Sequence, residues 1–442
     1  MEQRYFGECF PAASHPLLTA NLGHSPCSGG SLMNSHAEVN VPIFRLSLPQ
    51  IIIIFLGFLI AATALFSLTF VLAPLSHSLR LSLSQASLVV TMSWVGGGLG
   101  GLGFGWLADR WGRRRGLLMA LGLVAVSAIL GSQASNGAIL AIAWFLVGSG
   151  VNGENGASYA LIAEGIAKRR RGVTGSTMAG LYFAGALVGV VMTGIVLVHF
   201  PSAWRDVLML AGILVAIIWV FMWWVPESEV WQAKRKSGPR VRPEPASAMF
   251  RPPLLRVTIG GTALAIGGLL YLVPFLSLIS SYLESVQRWS VTRTTTLLIV
   301  GFALGFCGYV LDGLVADRWG RVKGAWSFIA AAFVAGVAFW MGAPTILTVP
   351  AIFFTSGFFA HFGVWMSESY PPALKARGNN LTFMAGRVVG GGLGPVLATS
   401  LPWQLKTNLS VVLVGAAIIS SGAVYVLKDV GKIRQTSRAA EL

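Results

Sequence analysis

The chain has 442 residues, of which 55% are hydrophobic and only 11% are charged. Because soluble domains carry about 25% charged residues, this composition excludes a soluble enzyme, a disordered protein and a coiled coil. The apolar stretches are continuous and about 20 residues long, which also excludes an outer-membrane barrel of short alternating strands. The sequence therefore predicts an all-α polytopic membrane protein.

The net charge of +16 does not indicate a nucleic-acid partner, because the basic residues form short clusters between apolar stretches. The three cysteines, Cys9, Cys27 and Cys307, are too few for a disulfide framework, and their spacings fit no metal site. No phosphate-binding glycine-rich loop is recognisable, which argues against an ATP-driven pump. We therefore expect no metal and no cofactor. The expected energy source is an ion gradient or the substrate's own gradient.

Twelve apolar segments follow a polar segment over residues 1–49, which shows no secretory signal and which we expect to be poorly ordered. Each apolar segment can cross about 30 Å of hydrocarbon as a helix. The predicted cores are residues 50–75, 86–107, 116–134, 138–162, 174–198, 206–225, 257–282, 294–311, 325–342, 346–367, 379–400 and 409–427. The predicted domains are a six-helix bundle over 50–225, a linker over 226–256, a second six-helix bundle over 257–427 and a tail over 428–442.

The distribution of lysine and arginine predicts how the chain is oriented in the lipid bilayer. Of the 32 basic residues, 26 lie in the two tails and in alternate loops, 5 lie in the other loops, and Arg387 lies inside a span. Cytoplasmic loops are enriched in such residues, so both termini are predicted to be cytoplasmic in a cell (inner) membrane. The basic linker over 226–256 is predicted to be solvated and to touch anionic headgroups.

A charged loop motif occurs twice, between the second and third spans and between the eighth and ninth. Gly105-Trp-Leu-Ala-Asp-Arg-Trp-Gly-Arg113 is repeated as Gly313-Leu-Val-Ala-Asp-Arg-Trp-Gly-Arg321 at an offset of 208 residues. The charge pairs either latch one conformation and break in another, or merely fix a static loop. The predicted gating residues are the charged motif members and a nearby aspartate, namely Asp109, Arg110, Arg113, Asp312, Asp317, Arg318 and Arg321.

With this doubled motif, the twelve spans and the long central loop, residues 50–427 resemble the major facilitator superfamily. The resemblance implies two pseudo-symmetric six-helix bundles that rock around a midplane site in alternating access. It also implies a protein that works as a monomer. A transporter, and not an enzyme, is therefore expected.

Three shorter stretches resemble one part of that superfamily, the sialate:proton symporter family, and the wider metabolite:proton symporters. They are Gly148-Ser-Gly-Val-Asn-Gly-Glu-Asn-Gly156 in the fourth span, Glu368-Ser-Tyr-Pro371 leading to Arg377-Gly378, and Asn380 followed by Gly386-Arg387. The first span lacks the Asp-Gly-x-Asp element of the aromatic-acid symporters. The resemblance implies proton-coupled symport of an organic acid anion, either a monocarboxylate or a sialate-like acid.

Two ionisable residues lie deep inside predicted spans, where each costs about 2.5–3.5 kcal/mol on insertion scales. Glu164 marks the inner end of the fourth span, and Glu154 lies about 15 Å of helix from it. Gly378 marks the inner start of the eleventh span, and Arg387 lies about 14 Å of helix from it. The two groups are thus predicted at similar depth, one in each half. The internal repeat aligns Leu181 with Arg387, so the fold itself does not demand an arginine there.

These two residues predict a coupling mechanism. The planar guanidinium of Arg387 suits bidentate binding of a substrate carboxylate. Glu154 is the predicted proton carrier, because a substrate anion bound at Arg387 would change its affinity for a proton. Alternatively, the two residues only form an ion pair, or Glu154 caps a kink in its glycine-rich helix.

Five further residues are candidates for the same site. Asn152 and Asn155 either bind substrate hydroxyl groups or pack between helices, and Tyr159 and Tyr182 are predicted to face the substrate cavity. His361 is either a second proton site or a partner in an interhelical hydrogen bond.

The competing functions are a proton-coupled exporter or drug antiporter, and a facilitative carrier of another metabolite. Drug antiporters of the superfamily that this chain resembles typically carry a Gly-Pro motif in the fifth span. The fifth span here, over 174–198, contains no proline, which counts against that function.

Overall fold

A computed structural model describes residues 45–165, 171–237, 245–252, 254–371 and 374–428. Within these ranges twelve helices are long and apolar enough to cross a membrane, one at each predicted segment, and no strand occurs. The predicted all-α fold class is therefore confirmed. Residues 1–44 of the predicted N-terminal segment and residues 429–442 of the predicted tail lie outside the described residues.

The spans are numbered α1 to α12 in chain order. In the first half they are α1 Leu48–Phe70, α2 Leu83–Trp111, α3 Arg113–Ser132, α4 Gly137–Gly165, α5 Arg171–His199 and α6 Trp204–Phe221. The continuous spans of the second half are α7 Leu254–Ser281, α8 Val291–Trp319, α9 Arg321–Met341 and α12 Leu405–Leu427. Shorter elements extend or connect these helices, namely Leu72–Ser78, Met222–Trp224, Glu229–Ser237, Ala246–Phe250 and a π-helical turn Tyr282–Val286.

Two spans of the second half are interrupted. Span α10 consists of Thr345–Thr355, a 3₁₀ turn Ser356–Phe359 and a final helix Phe362–Ser369. Span α11 consists of Lys375–Ala385, a π-helical stretch Gly386–Leu393 and Gly394–Ser400. Because π-helical stretches are rare and frequently occur at functional sites, the position of Arg387 inside one of them is informative.

Close helix contacts at glycine residues fix the spans that carry the predicted site. A β-carbon on Gly148 of α4 would collide with the backbone carbonyl of Ser93 in α2. In the second half, a β-carbon on Gly308 of α8 would collide with the carbonyl of Phe354 in α10. Small residues allow such close approach of membrane helices, so α2–α4 and α8–α10 form corresponding tight pairs in the two halves.

Among the described residues, the hydrogen bonds between the two halves lie on one side of the membrane. We call the side that carries Asp109 and Asp317 the motif side, and the other the opposite side. Three hydrogen bonds between the halves lie toward the opposite side, joining Ser87 to Thr399, Thr91 to the carbonyl of Gly392, and Ser280 to the carbonyl of Thr69. The structure is therefore closed on the opposite side.

Candidate substrate and proton site

Glu154 lies on α4 and is completely buried. The hydroxyl of Ser158, one turn further on, donates to Glu154 Oε1 at 2.5 Å. With its amide oriented to donate, Asn155 Nδ2 lies 3.0 Å from both Glu154 Oε2 and the carbonyl oxygen of Val151. Both carboxyl oxygens thus have donors from their own helix, and among the described residues Glu154 forms no ion pair with Arg387.

Arg387 is also buried, with 8% of its surface exposed, and it lies in the π-helical stretch of α11. Its guanidinium carbon lies 4.5 Å from the centroid of the Phe383 ring. Within the described part of the chain its Nε has no hydrogen-bond partner, and the arginine has no carboxylate partner. A buried cation without a counter-ion is unfavourable, so this group is available to an anionic ligand.

Two tyrosines lie near both of these charged groups. Tyr159 of α4 and Tyr182 of α5 are each within electrostatic reach of both Glu154 and Arg387. Phe58 of α1 packs edge-on against both rings, with centroids 5.7 Å from Tyr159 and 6.2 Å from Tyr182. Tyr159 keeps 37% of its surface exposed, whereas the hydroxyl of Tyr182 is buried without a partner among the described residues. Tyr182 is therefore a further candidate ligand.

The two predicted asparagines occupy different environments. Asn152 Nδ2 donates to the carbonyl of Gly148 at 3.0 Å, and its side chain packs against Gly97 of α2. Its Oδ1 has no partner in the described part of the chain. Asn155 instead supports the carboxyl of Glu154. Their predicted roles as substrate ligands stay predictions, and the structure adds a role for Asn155 in holding the carboxyl group.

His361 and Asp312 form a buried pair that links α10 to α8. His361 Nδ1 lies 2.5 Å from Asp312 Oδ2, and the side chains are 2% and 0% exposed. Asp312 was expected to belong to the motif latch, but the partner it contacts is His361, in the interior of the second half. The other polar atoms of the pair, Asp312 Oδ1 and His361 Nε2, have no partner among the described residues.

Removing one member of this pair should destabilise the protein strongly. Asp312→Ala leaves the buried Nδ1 of His361 without its hydrogen-bond partner, and an unsatisfied buried polar group costs about 1–3 kcal/mol. Asp312→Asn retains an oxygen that accepts from His361 Nδ1–H, so its loss of stability should be smaller. Thermal unfolding of the purified variants in detergent measures both effects. An Asp312→Ala protein as stable as the wild type would contradict this account of the pair.

The first motif holds an arginine between two carboxylates. Arg113, the first residue of α3, forms an ion pair with Asp109, and its Nη2 lies 3.5 Å from Glu164 Oε1 at the end of α4. The first residues of the predicted linker also pack here. Ser228 donates to Glu164 Oε2 at 2.5 Å, and Trp231 Nε1 donates to the carbonyl of Asp109 at 2.8 Å. The linker residues 238–244 lie outside the described residues.

The second motif repeats the arrangement. Arg321 Nη1 lies 2.6 Å from Asp317 Oδ1, and Arg321 Nη2 lies 3.4 Å from Glu368 Oε1 at the end of α10. The remaining predicted gating residues, Arg110 and Arg318, are exposed. Sequence reasoning did not include Glu164 and its counterpart Glu368 in the gate. Glu164 and Glu368 end α4 and α10, which are equivalent spans of the two halves, and this repetition could have identified both as partners of the motif arginines.

A glycine with positive φ joins the helices at each motif. Gly112 has φ +119° and Gly320 has φ +88°, a region of backbone space that is essentially confined to glycine. Only the first is also crowded, because a β-carbon on Gly112 would collide with the carboxylate of Glu227. That carboxylate accepts hydrogen bonds from the backbone N–H groups of Arg114 and Ser228.

Alanine at these two positions provides a matched comparison. Both Gly112→Ala and Gly320→Ala should lower the free energy of unfolding by about 1–3 kcal/mol through backbone strain. Gly112→Ala should cost more, because it also displaces Glu227, whereas no atom lies within 4 Å of the corresponding position at Gly320. Thermal unfolding ranks the two variants. Equal losses of stability would show that the contact with Glu227 contributes nothing.

The comparisons with known proteins agree with this architecture. Residues 54–395 match the sequence profile of the Major Facilitator Superfamily. The probable 4-methylmuconolactone transporter of Cupriavidus pinatubonensis is 29% identical over 335 residues, which cover 73% of this chain and 77% of that protein. The sialic acid transporter NanX of Escherichia coli is 23% identical over 418 residues, covering 87% and 95%.

A solved structure shares the fold. The D-xylose–proton symporter superposes with a TM-score of 0.67 at 19% sequence identity, covering 84% of this chain and 96% of that one. The profile match spans most of the chain, and the twelve described spans are long and apolar enough to cross a membrane. The chain therefore belongs to the Major Facilitator Superfamily and is an integral membrane transporter, not an enzyme.

Proposed function

We propose that this transporter is a proton-coupled symporter of an organic acid anion. The observation that carries the proposal is the buried guanidinium of Arg387, which has no carboxylate partner within the described residues. An unpaired cation at this depth is costly unless a ligand supplies the opposite charge. The sialic acid transporter among the relatives supports an organic acid, monocarboxylate or sialate-like, as the substrate class.

In the proposed binding step, the substrate carboxylate accepts two parallel hydrogen bonds from Arg387. Charge-assisted pairs of this geometry are strong and directional. The ring of Phe383 lies against the guanidinium and restricts its orientation. The hydroxyl of Tyr182, which lacks a partner among the described residues, is available to donate to the same substrate or to its hydroxyl groups.

In the proposed coupling step, Glu154 carries the proton. Its carboxyl group is held by Ser158 and Asn155 and is not neutralised by Arg387 in the structure. Tyr159 and Tyr182 are within electrostatic reach of both charged groups, and we infer that a substrate anion at Arg387 favours the protonated carboxyl group of Glu154. Protonation and substrate binding therefore promote each other, as symport requires.

In the proposed transport step, the two halves rock around this site as rigid bodies. The two motif clusters each lie within one half and therefore stabilise the half itself, while the contacts on the opposite side must separate. The positive-inside bias assigns the motif side and both termini to the cytoplasm. With that orientation the structure is closed toward the exterior, and a single chain contains the complete site.

Proton movement in proteoliposomes tests the proposed function. Lactate, pyruvate, sialic acid, 2-oxoglutarate and a neutral sugar are added in turn while the internal pH is followed. We expect internal acidification with at least one acid and none with the neutral sugar. Folded protein that gives no proton signal with any acid, but transports an acid by an isotope assay, would contradict proton coupling and favour a facilitative carrier.

A further inference from the structure

A small pocket between the two halves, on the opposite side, contains a carboxyl group that the proposed cycle does not use. The pocket is lined by Phe70 of α1, Thr193 of α5, Ser280 and Glu284 at the end of α7, and Thr294 of α8. Its walls therefore come from both halves. Any movement that opens the opposite side must pull this pocket apart.

The polar groups of the pocket have few partners. The hydroxyl groups of Thr193 and Thr294 belong to side chains that are 3% and 1% exposed, and neither has a hydrogen-bond partner within the described residues. Glu284 lies half-buried in the π-helical turn Tyr282–Val286 and likewise forms no described hydrogen bond or ion pair. Ser280 alone is engaged, because it donates to the carbonyl of Thr69.

The cations around the pocket do not neutralise Glu284. In the same turn as Glu284, the hydroxyl of the buried Tyr282 accepts a hydrogen bond from Gln287 Nε2. The other titratable and charged groups at this end of the surrounding helices and in their loops are His77, Arg80, His199, Arg288 and Arg293. All of them are exposed, and none forms an ion pair with Glu284 in the described structure. The guanidinium of Arg293 instead lies 3.7 Å from the centroid of the Trp289 ring. The carboxyl group is thus partly withdrawn from water without a counter-ion.

We propose that Glu284 is a second proton-binding site, which is protonated when the opposite side is closed and ionised when that side opens. Among the described residues, the pocket supplies neither a counter-ion nor a hydrogen bond to Glu284, so its neutral carboxyl group is favoured over the carboxylate while the pocket stays closed. Opening separates α1 and α5 from α7 and α8 and admits water. Water stabilises the carboxylate, so the open state favours loss of the proton.

This proton site has a measurable consequence that does not depend on substrate. Because the closed state binds one more proton at Glu284 than the open state, acid pH favours closure of the opposite side. For a single proton, the ratio of closed to open molecules rises by at most about tenfold for each unit of decrease in pH. The effect is separate from Glu154 and Arg387, so it survives even if the proposed symport is wrong.

Distance measurements between the halves test the proposal. Spin labels are placed at the exposed positions Ser202, after α5, and Thr292, at the start of α8, in a full-length chain whose cysteines are replaced by serine. Distance distributions are recorded in lipid nanodiscs across acid to mildly alkaline pH. In the parent protein the short-distance population should increase as the pH falls. Glu284→Gln should keep the short distance at every pH.

Two controls separate this site from other carboxyl groups. Asp206→Asn removes an exposed carboxyl group on the same side of the membrane and should keep the response of the parent protein. In a Glu154→Gln background, Glu284→Gln should still remove the pH response that remains, which distinguishes this proposal from the symport mechanism. If Glu284→Gln is not recovered folded, Glu284→Ala provides the same neutral test. A pH response in the Glu284 variant equal to that of the parent, or no response in the parent, would overturn the proposal.

Discussion

Replacing Arg387 with leucine is expected to weaken binding of the substrate anion by about 100-fold or more. Two charge-assisted hydrogen bonds are lost, each worth about 1.5–3 kcal/mol, and roughly 3 kcal/mol already corresponds to a factor of more than 100 in affinity. The protein should remain folded, because the internal repeat has Leu181 at the equivalent position. Calorimetric titration of the purified protein with the transported acid measures the effect.

The lysine variant is the matched control for this change. Arg387→Lys keeps the positive charge but loses the planar fork, so its affinity should lie between those of the wild type and the leucine variant. The thermal unfolding temperature of Arg387→Leu should equal or exceed that of the wild type, because a buried unpaired charge has been removed. Wild-type affinity in a folded Arg387→Leu protein would remove Arg387 from the substrate site.

Replacing Glu154 with glutamine should uncouple transport from the proton gradient. Glutamine keeps the shape of the side chain and its hydrogen bond with Ser158, but it carries no exchangeable acidic proton. Uphill accumulation driven by an imposed pH gradient should be lost, while exchange of labelled for unlabelled acid across the membrane is retained. Both activities are measured in the same preparation of proteoliposomes.

The serine that supports the carboxyl group provides the control. Ser158→Ala removes one donor to Glu154 but leaves the titratable group, so this variant should still accumulate substrate against its gradient. A Glu154→Gln protein that also accumulates substrate would exclude Glu154 as the proton carrier. The buried His361 on α10 would then be the next residue to test.

The sequence predicted the helices well because lipid imposes long apolar spans with basic residues between them. The repeat also predicted the paired motifs and the equivalence of Leu181 and Arg387. The helical rise, counted from the inner ends of the fourth and eleventh spans, predicted that Glu154 and Arg387 lie at similar depth. The structure adds that Tyr159 and Tyr182 lie within electrostatic reach of both.

Partners across helices were not predictable, because hydropathy and spacing do not define which side chains meet between distant spans. The pairing of Asp312 with His361 joins residues 49 positions apart, and it moved Asp312 from the expected latch into the interior of the second half. The interruption of α11 falls in a glycine-rich stretch, and the run from Gly390 to Pro395 predicts close packing with a kink there, although not its π-helical form. Glu284 lies two residues beyond the predicted apolar core over 257–282, whereas the helix continues to Val286.

The linkage between the proton on Glu154 and the anion at Arg387 is tested most directly by counting protons during binding. Calorimetric titrations of the transported acid are performed in buffers of different ionisation enthalpy, and the dependence of the observed heat on the buffer gives the number of protons taken up. The wild type should take up protons when the acid binds, and Glu154→Gln should take up fewer. Proton uptake that is absent from the wild type, or unchanged in Glu154→Gln, would contradict the coupling mechanism.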